Sequence, residues 1–174
     1  CSETEYGICN TIADGNSIVA TVKNIRCHYP DDQPPERALD CSVSSGNKYV
    51  NFGACTGATS SPECGLDSGF YFTNSRGASL LQQFRFCTAD DSPERDPLTI
   101  SIAGSNATGN ALVYGSSWTS IYVGPSGLVN TTSRLTCGNT IAVNSTAYYS
   151  SYRVLITEKR NTSNSVQYSE VSFW

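Results

Sequence analysis

Apolar positions along the chain recur with a period of two, the spacing of strands with one face in a core, and not with the period of a helix. In PLTISIAG, Leu98, Ile100 and Ile102 face one way, while Thr99 and Ser101 face the other. In QFRFC, Phe84 and Phe86 alternate with Gln83, Arg85 and Cys87. YRVLIT sets Tyr152, Val154 and Ile156 against Arg153, Leu155 and Thr157, which predicts a strand buried on both faces. SIVATVK, KYVNFGA, SGFYFT, SSWTSIYVG and VQYSEVSFW complete a set of about eight short strands, separated by clusters of Gly, Asn, Ser, Asp and Pro. No long segment carries a helical stripe. The pattern predicts an all-β protein, a jelly-roll β-sandwich of about eight antiparallel strands. The 174 residues suit a single domain, and no linker or break in composition divides them. DDQPPERALD at 31–40 and DDSPERDPLT at 90–99 echo each other, but the match fades at once on either side and is no repeat.

Only 15% of the residues are charged, and the net charge is -4. The Lys and Arg residues are scattered without a basic stripe, which excludes nucleic acid as an expected partner. No apolar run approaches the roughly 18 residues of a membrane span. The sequence begins at Cys1 and contains no Met, as expected of a processed mature chain or an excised domain from which any signal peptide has gone. Cys1, Cys9, Cys27, Cys41, Cys55, Cys64, Cys87 and Cys137 form an even set with no C-x-x-C spacing, and His28 is the single histidine. Zinc would want closely spaced thiolate or imidazole pairs, so disulfides are the expectation. Asn106, Asn130, Asn144 and Asn161 each open an N-x-S/T sequon. Sequons and cysteines together point to the secretory route and a place outside the cell or on its surface. Loop lengths suggest Cys1–Cys9, Cys27–Cys41 and Cys55–Cys64, leaving Cys87–Cys137 as the long-range bridge, among the many connectivities that eight cysteines allow.

Asp90, Asp91, Glu94, Arg95 and Asp96 crowd one corner between two strands. A glycosidase needs two carboxylates in a cleft, one of them with a raised pKa. Carboxylates beside Arg95 are expected to stay ionised, which spoils the general acid. A serine or cysteine hydrolase needs a histidine base, and His28 sits beside Cys27, itself expected to be bridged. No enzyme activity is expected.

Read in order, NKYVNFGA, SGFYFT, QFRFCTADDSPERDPLTISIAGSN, SSWTSIYVG, YSSYRVLITEKR and VQYSEVSFW resemble the discoidin, or coagulation-factor C-type, group of galactose-binding-like domains. The resemblance runs from about residue 17 to 174, with a short cysteine-containing N-terminal extension (about 1–16) before it. SPERDP followed by I-x-G-S-N, together with the closing strands, is its most specific part. It implies a galactose-binding-domain-like sandwich whose relatives mostly bind glycans, lipids or proteins through loops at one end. It also implies that the acidic corner is structural, with Arg95 placed to hold Asp90, Asp91 and Asp96 by bidentate hydrogen bonds and Pro93 and Pro97 stiffening the turn.

The same resemblance implies one structural Ca2+, bound by loop carbonyls with Asp40 in ALDCSVSSGN and Glu170 in YSEVSFW, although Cys41 stands where the pattern has Gly. His28, Tyr29 and Arg76 lie in expected loops and form a candidate ligand loop, since sugar sites combine aromatic platforms with a few polar donors. A chain poor in charge, stapled by cysteines and with its sequons in the second half suits a structural or adhesive block of a coat, matrix or filament. Its partners would be copies of itself or other extracellular glycoproteins. The alternative is a lectin or carbohydrate-binding module.

Overall fold

The computed structural model describes residues 4–8, 29–113 and 117–174. Ten strands follow in order: β1 Thr4–Ile8, β2 Tyr49–Asn51, β3 Gly69–Thr73, β4 Gln83–Cys87, β5 Pro97–Ser105, β6 Thr119–Pro125, β7 Ile141–Ala142, β8 Ser151–Lys159, β9 Val166–Tyr168 and β10 Glu170–Phe173. One helical turn, α1 (Asn110–Val113), and two 3-10 turns, Pro35–Ala38 and Pro93–Arg95, interrupt them. A five-stranded sheet in the order β1-β3-β8-β5-β6 faces a layer made of β10-β4-β7 and β2-β9. Every pairing among the strands is antiparallel.

The alternation read from the sequence decides which side chains meet between the layers. Phe70, Phe72, Ile100, Ile102, Val154 and Ile156 come from the large sheet, and Phe84, Phe86, Val166, Tyr168 and Val171 come from the facing layer. β8 is buried on both faces, as its composition predicts. Leu155 turns away from the main core and joins Tyr71 and Leu112 in a second cluster, against which Trp118 packs. Gly69 opens β3 because the sheet leaves no room there: a Cβ at this position would lie 2.0 Å from Val154 O.

Three details depart from the strand pattern. VQYSEVSFW divides at Ser169 into β9 and β10, because its N–H donates to Cys87 O and its hydroxyl to Thr88 O. The chain thereby changes partner from β2 to β4. Thr4–Ile8, inside the stretch read as an extension, pairs with β3 as an edge of the large sheet. β7 has two residues, too few to show a period. SIVATVK lies outside the described residues.

Disulfides join Cys55 to Cys64 and Cys87 to Cys137. Cys41 is disulfide-bonded as well; the suggested pairs Cys1–Cys9 and Cys27–Cys41 involve cysteines outside the described residues. Cys41 has φ 62, in the left-handed region that favours glycine, so the backbone there keeps the form implied by a Gly at that point.

Strand register separates the two ends of the sandwich. The Cys55–Cys64 loop, the acidic corner and the turn after β8 lie at one end, where Pro97 pairs with Lys159. The turn after β3 and the entries to β6 and β8 lie at the other, where Thr73 and Ser105 meet Ser151.

Candidate functional site

The aspartates of the acidic corner are held in ion pairs. Asp96 is fully buried, with Oδ1 2.8 Å from Arg134 Nη1 and Oδ2 2.6 Å from Arg134 Nη2. Arg160 Nε also reaches Asp96 Oδ2, at 3.3 Å. Lys48 Nζ bridges Asp90 Oδ1 at 2.9 Å and Asp91 Oδ1 at 2.6 Å. Burial raises the Asp90 carboxyl, but donors on Lys48, Gly46 and Ser45 overcome this and hold it at about 2. The expectation for Arg95 is corrected: the cations on the aspartates are Arg134, Arg160 and Lys48, while Arg95 Nη1 donates to Gln167 Oε1 at 3.3 Å. Arg95 ends the 3-10 turn immediately before Asp96. Successive side chains in such a turn diverge, so a neighbour in sequence cannot fork onto Asp96. Gln167 supports the corner from β9, donating through Nε2 to Asp91 O and Asp91 Oδ1. Lys48, Arg134 and Arg160 thus engage the carboxylates of Asp90, Asp91 and Asp96.

Asp40 and Glu170 are brought together but are already occupied by N–H donors. Asp40 Oδ1 accepts from Ser42 N at 2.9 Å, and both of its oxygens accept from Asn47 Nδ2, at 3.0 and 2.9 Å. Glu170 Oε2 accepts from Cys41 N at 2.9 Å. Among the described residues, no three His, Cys, Asp or Glu side chains gather as a metal-holding group. Calcium takes about 6–8 oxygens. This donor set, with an amide nitrogen against both Asp40 oxygens, does not fit the ion.

Of the expected ligand loop, Tyr29 and Arg76 fall among the described residues. His28 lies outside the described residues. Tyr29 packs against Tyr49 with ring centroids 6.3 Å apart, a core contact. Arg76 is exposed on the turn after β3, where its N–H donates to Asn74 Oδ1. The asparagines of the four sequons are all exposed. Asn106 also ties two loops, donating to Tyr148 O at 3.0 Å and accepting from Ser150 N at 2.8 Å.

A half-open cleft of about 480 Å³ runs along β10, from Glu170 to Trp174. Its walls are Leu39, Phe72, Leu81, Val171 and Phe173, with Asn74, Ser79 and Ser172 as polar points. Tyr152 fixes one wall by donating its hydroxyl to Ser79 O at 2.5 Å. Trp174 is anchored through its backbone to the start of β4, accepting from Gln82 N and Gln83 N and donating to Gln83 O. The residue remains 48% exposed, and the Arg85 guanidinium lies 5.5 Å from the ring centroid. Glu170 is the one carboxylate among the lining residues. Burial, aided by nearby Asp40 and opposed by the Cys41 N–H, pushes its carboxyl up to about 7. Such a surface can take a small ligand with an apolar face, a few hydrogen-bonding groups and one carboxyl that donates or accepts near neutral pH. One carboxyl does not make the acid–base pair that glycoside hydrolysis needs.

Leu80 and Leu81, Trp174 and Arg85 were not singled out from the sequence. The available signal was the pairing of QFRFC with the closing strand, which sets Arg85 opposite Ser172, one residue from Phe173 and two from Trp174.

In structure the chain is similar to carbohydrate-binding modules. The family 32 module of AlyQ, in complex with 4,5-unsaturated mannuronic acid, matches at TM-score 0.54 and 11% identity over 96% of this chain and 97% of that one. The family 32 module of C. perfringens NanJ, in complex with galactose, matches at TM-score 0.55 and 9% identity over 84% and 90%. CBM32-3 from a family 31 glycoside hydrolase of Clostridium perfringens gives TM-score 0.57 and 17% identity over 86% and 90%. No protein-family model and no curated protein matches the sequence. The chain has the galactose-binding-like jelly-roll fold that family 32 carbohydrate-binding modules share with discoidin domains.

Proposed function

We propose that this protein is a non-catalytic carbohydrate-binding domain that holds a glycan in the cleft along β10. The observation that carries the reading is Trp174, half exposed at the mouth of a mostly apolar cleft of about 480 Å³. An indole face takes the C–H face of a sugar ring, and Asn74, Ser79 and Ser172 supply the polar groups of the lining. The apolar floor favours a sugar unit carrying an apolar substituent, such as an acetamido methyl, over a fully hydroxylated one. Structural neighbours in complex with galactose and with 4,5-unsaturated mannuronic acid support glycan binding as the role. They favour it over the structural building block expected as the main function. Disulfides and exposed sequons support a secreted or cell-surface, N-glycosylated protein.

The test is a glycan array followed by titration of the best ligand against the protein and Trp174→Ala. Loss of one stacking partner is expected to weaken binding about tenfold, equivalent to about 1.4 kcal/mol. An array without retention refutes glycan binding, and unchanged affinity in Trp174→Ala removes the cleft as the site.

The uncharged edge strand β6 favours assembly as a second reading. Among the described residues it pairs only with β5, and Val123 on it is 68% exposed. Unprotected edges of this kind add strands from other chains. Light scattering of the natively glycosylated protein tests this: a monomer removes it, and large or filamentous species support it.

A further inference from the structure

We propose that the loop resembling a calcium site is held without a metal ion, the Asn47 side-chain amide, locked by Arg37, standing in place of the cation. Three oxygens converge on one point beside the 3-10 turn Pro35–Ala38: Asp40 Oδ1, Asp40 Oδ2 and Ser42 O. Asn47 Nδ2 occupies that point, 3.0, 2.9 and 3.2 Å from them. Asn47 is buried, at 8% exposure, so the amide belongs to the interior of the loop.

Its orientation is fixed from the other side. Asn47 Oδ1 accepts from Arg37 Nη1 at 2.9 Å. Turning the amide to offer its oxygen to a cation would break that bond and aim the NH2 group at the guanidinium, donor against donor. Arg37 Nη1 also lies 4.0 Å from Asp40 Oδ2, which gives the carboxylate a positive partner of its own. The remaining acid, Glu170, spends Oε2 on the Cys41 N–H. The side chain of the next residue, Lys48, faces away toward Asp90 and Asp91. A divalent ion at that point would therefore have to displace the three Asn47 Nδ2 contacts and stand beside a guanidinium, to gain the Asp40 carboxylate and the Ser42 carbonyl. This holds whether or not the cleft along β10 binds a glycan.

Thermal unfolding of the glycosylated, disulfide-intact protein in chelator and in millimolar calcium tests it, with calorimetric titration of calcium chloride alongside. Coincident midpoints and no saturable heat are expected. Any ligand that binds the native state raises its stability by mass action, so a calcium-induced rise in the midpoint overturns the proposal. Two variants test the role of the amide. Asn47→Asp places a carboxylate at the point of convergence, and Arg37→Met frees the Asn47 amide to turn. Each is expected to lower the midpoint in chelator and to regain it with calcium. If neither variant that folds acquires a calcium-dependent shift, Asn47 and Arg37 are not what excludes the ion, and the proposal fails.

Discussion

Tyr49 and Tyr168 face each other across β2 and β9, with ring centroids 5.5 Å apart and both side chains fully buried. The same substitution should act on them with opposite sign. Tyr49 Oη donates to Gly69 O at 2.7 Å and accepts from Asn51 Nδ2 at 2.6 Å. Among the described residues Tyr168 Oη has no hydrogen-bond partner, and its ring is enclosed by Phe70, Phe86 and Tyr49. Burying a hydroxyl without a hydrogen bond costs about 1–3 kcal/mol. Tyr168→Phe removes that cost and leaves the ring packing in place, for a gain of about 1–2 kcal/mol. In a chain of this size that is a rise of about 3–6 °C in the unfolding midpoint. Tyr49→Phe instead takes an acceptor from one buried group and a donor from another, a loss of about 2–3 kcal/mol. Urea unfolding of the two variants, with disulfides intact and followed by tyrosine and tryptophan fluorescence, reads both signs in one experiment. If Tyr168→Phe destabilises the protein by as much as Tyr49→Phe, the Tyr168 hydroxyl is satisfied, by an internal water or otherwise, and the accounting is wrong.

Asp96→Asn should cost about 3–5 kcal/mol in the same assay, because it leaves the Arg134 and Arg160 guanidiniums against a neutral amide in a buried site. A loss under about 1 kcal/mol would remove the corner from the architecture. The Asp90 carboxyl is lower in the folded state, at about 2, than its ordinary 3.8. The folded protein therefore binds fewer protons there than the unfolded chain. The resulting stability is present above about pH 4 and is lost as the pH falls through about 2. Screening at this partly exposed group leaves roughly 1 kcal/mol, and Asp90→Asn should flatten that acid limb. Chain entropy puts removal of Cys87–Cys137, with a sequence separation of 50, at about 4 kcal/mol, and removal of Cys55–Cys64, with a separation of 9, at about 2.5 kcal/mol. Paired Cys→Ala variants compared by denaturant midpoint check the order; equal losses would show that local strain or residual structure outweighs the entropy term.

Interactions local to one strand could be read from the sequence, and those that join distant segments could not. Phe84 with Phe86 and Ile100 with Ile102 show their buried face by alternation alone, and the mixed pattern of YRVLIT marks β8 as covered on both sides, with Leu155 in the outer cluster. The division at Ser169 is invisible in the alternation, because two bonds to Cys87 and Thr88, more than 80 positions away, impose it. The corner shows the same limit in its electrostatics. Nearness in sequence made Arg95 the obvious partner of Asp96, yet Arg134 and Arg160, 38 and 64 positions away, make the bonds. Resemblance set Asp40 and Glu170 in one loop region although they are 130 residues apart, and Asp40 does act on the Glu170 carboxyl. What the resemblance could not supply was the chemistry between them, which turns on whether residue 47 presents an oxygen or an N–H. Asn carries both, so the choice falls to its neighbour Arg37, whose donor takes the amide oxygen. A loop can therefore keep the shape of a cation site while its side chains supply the donors that the cation would replace.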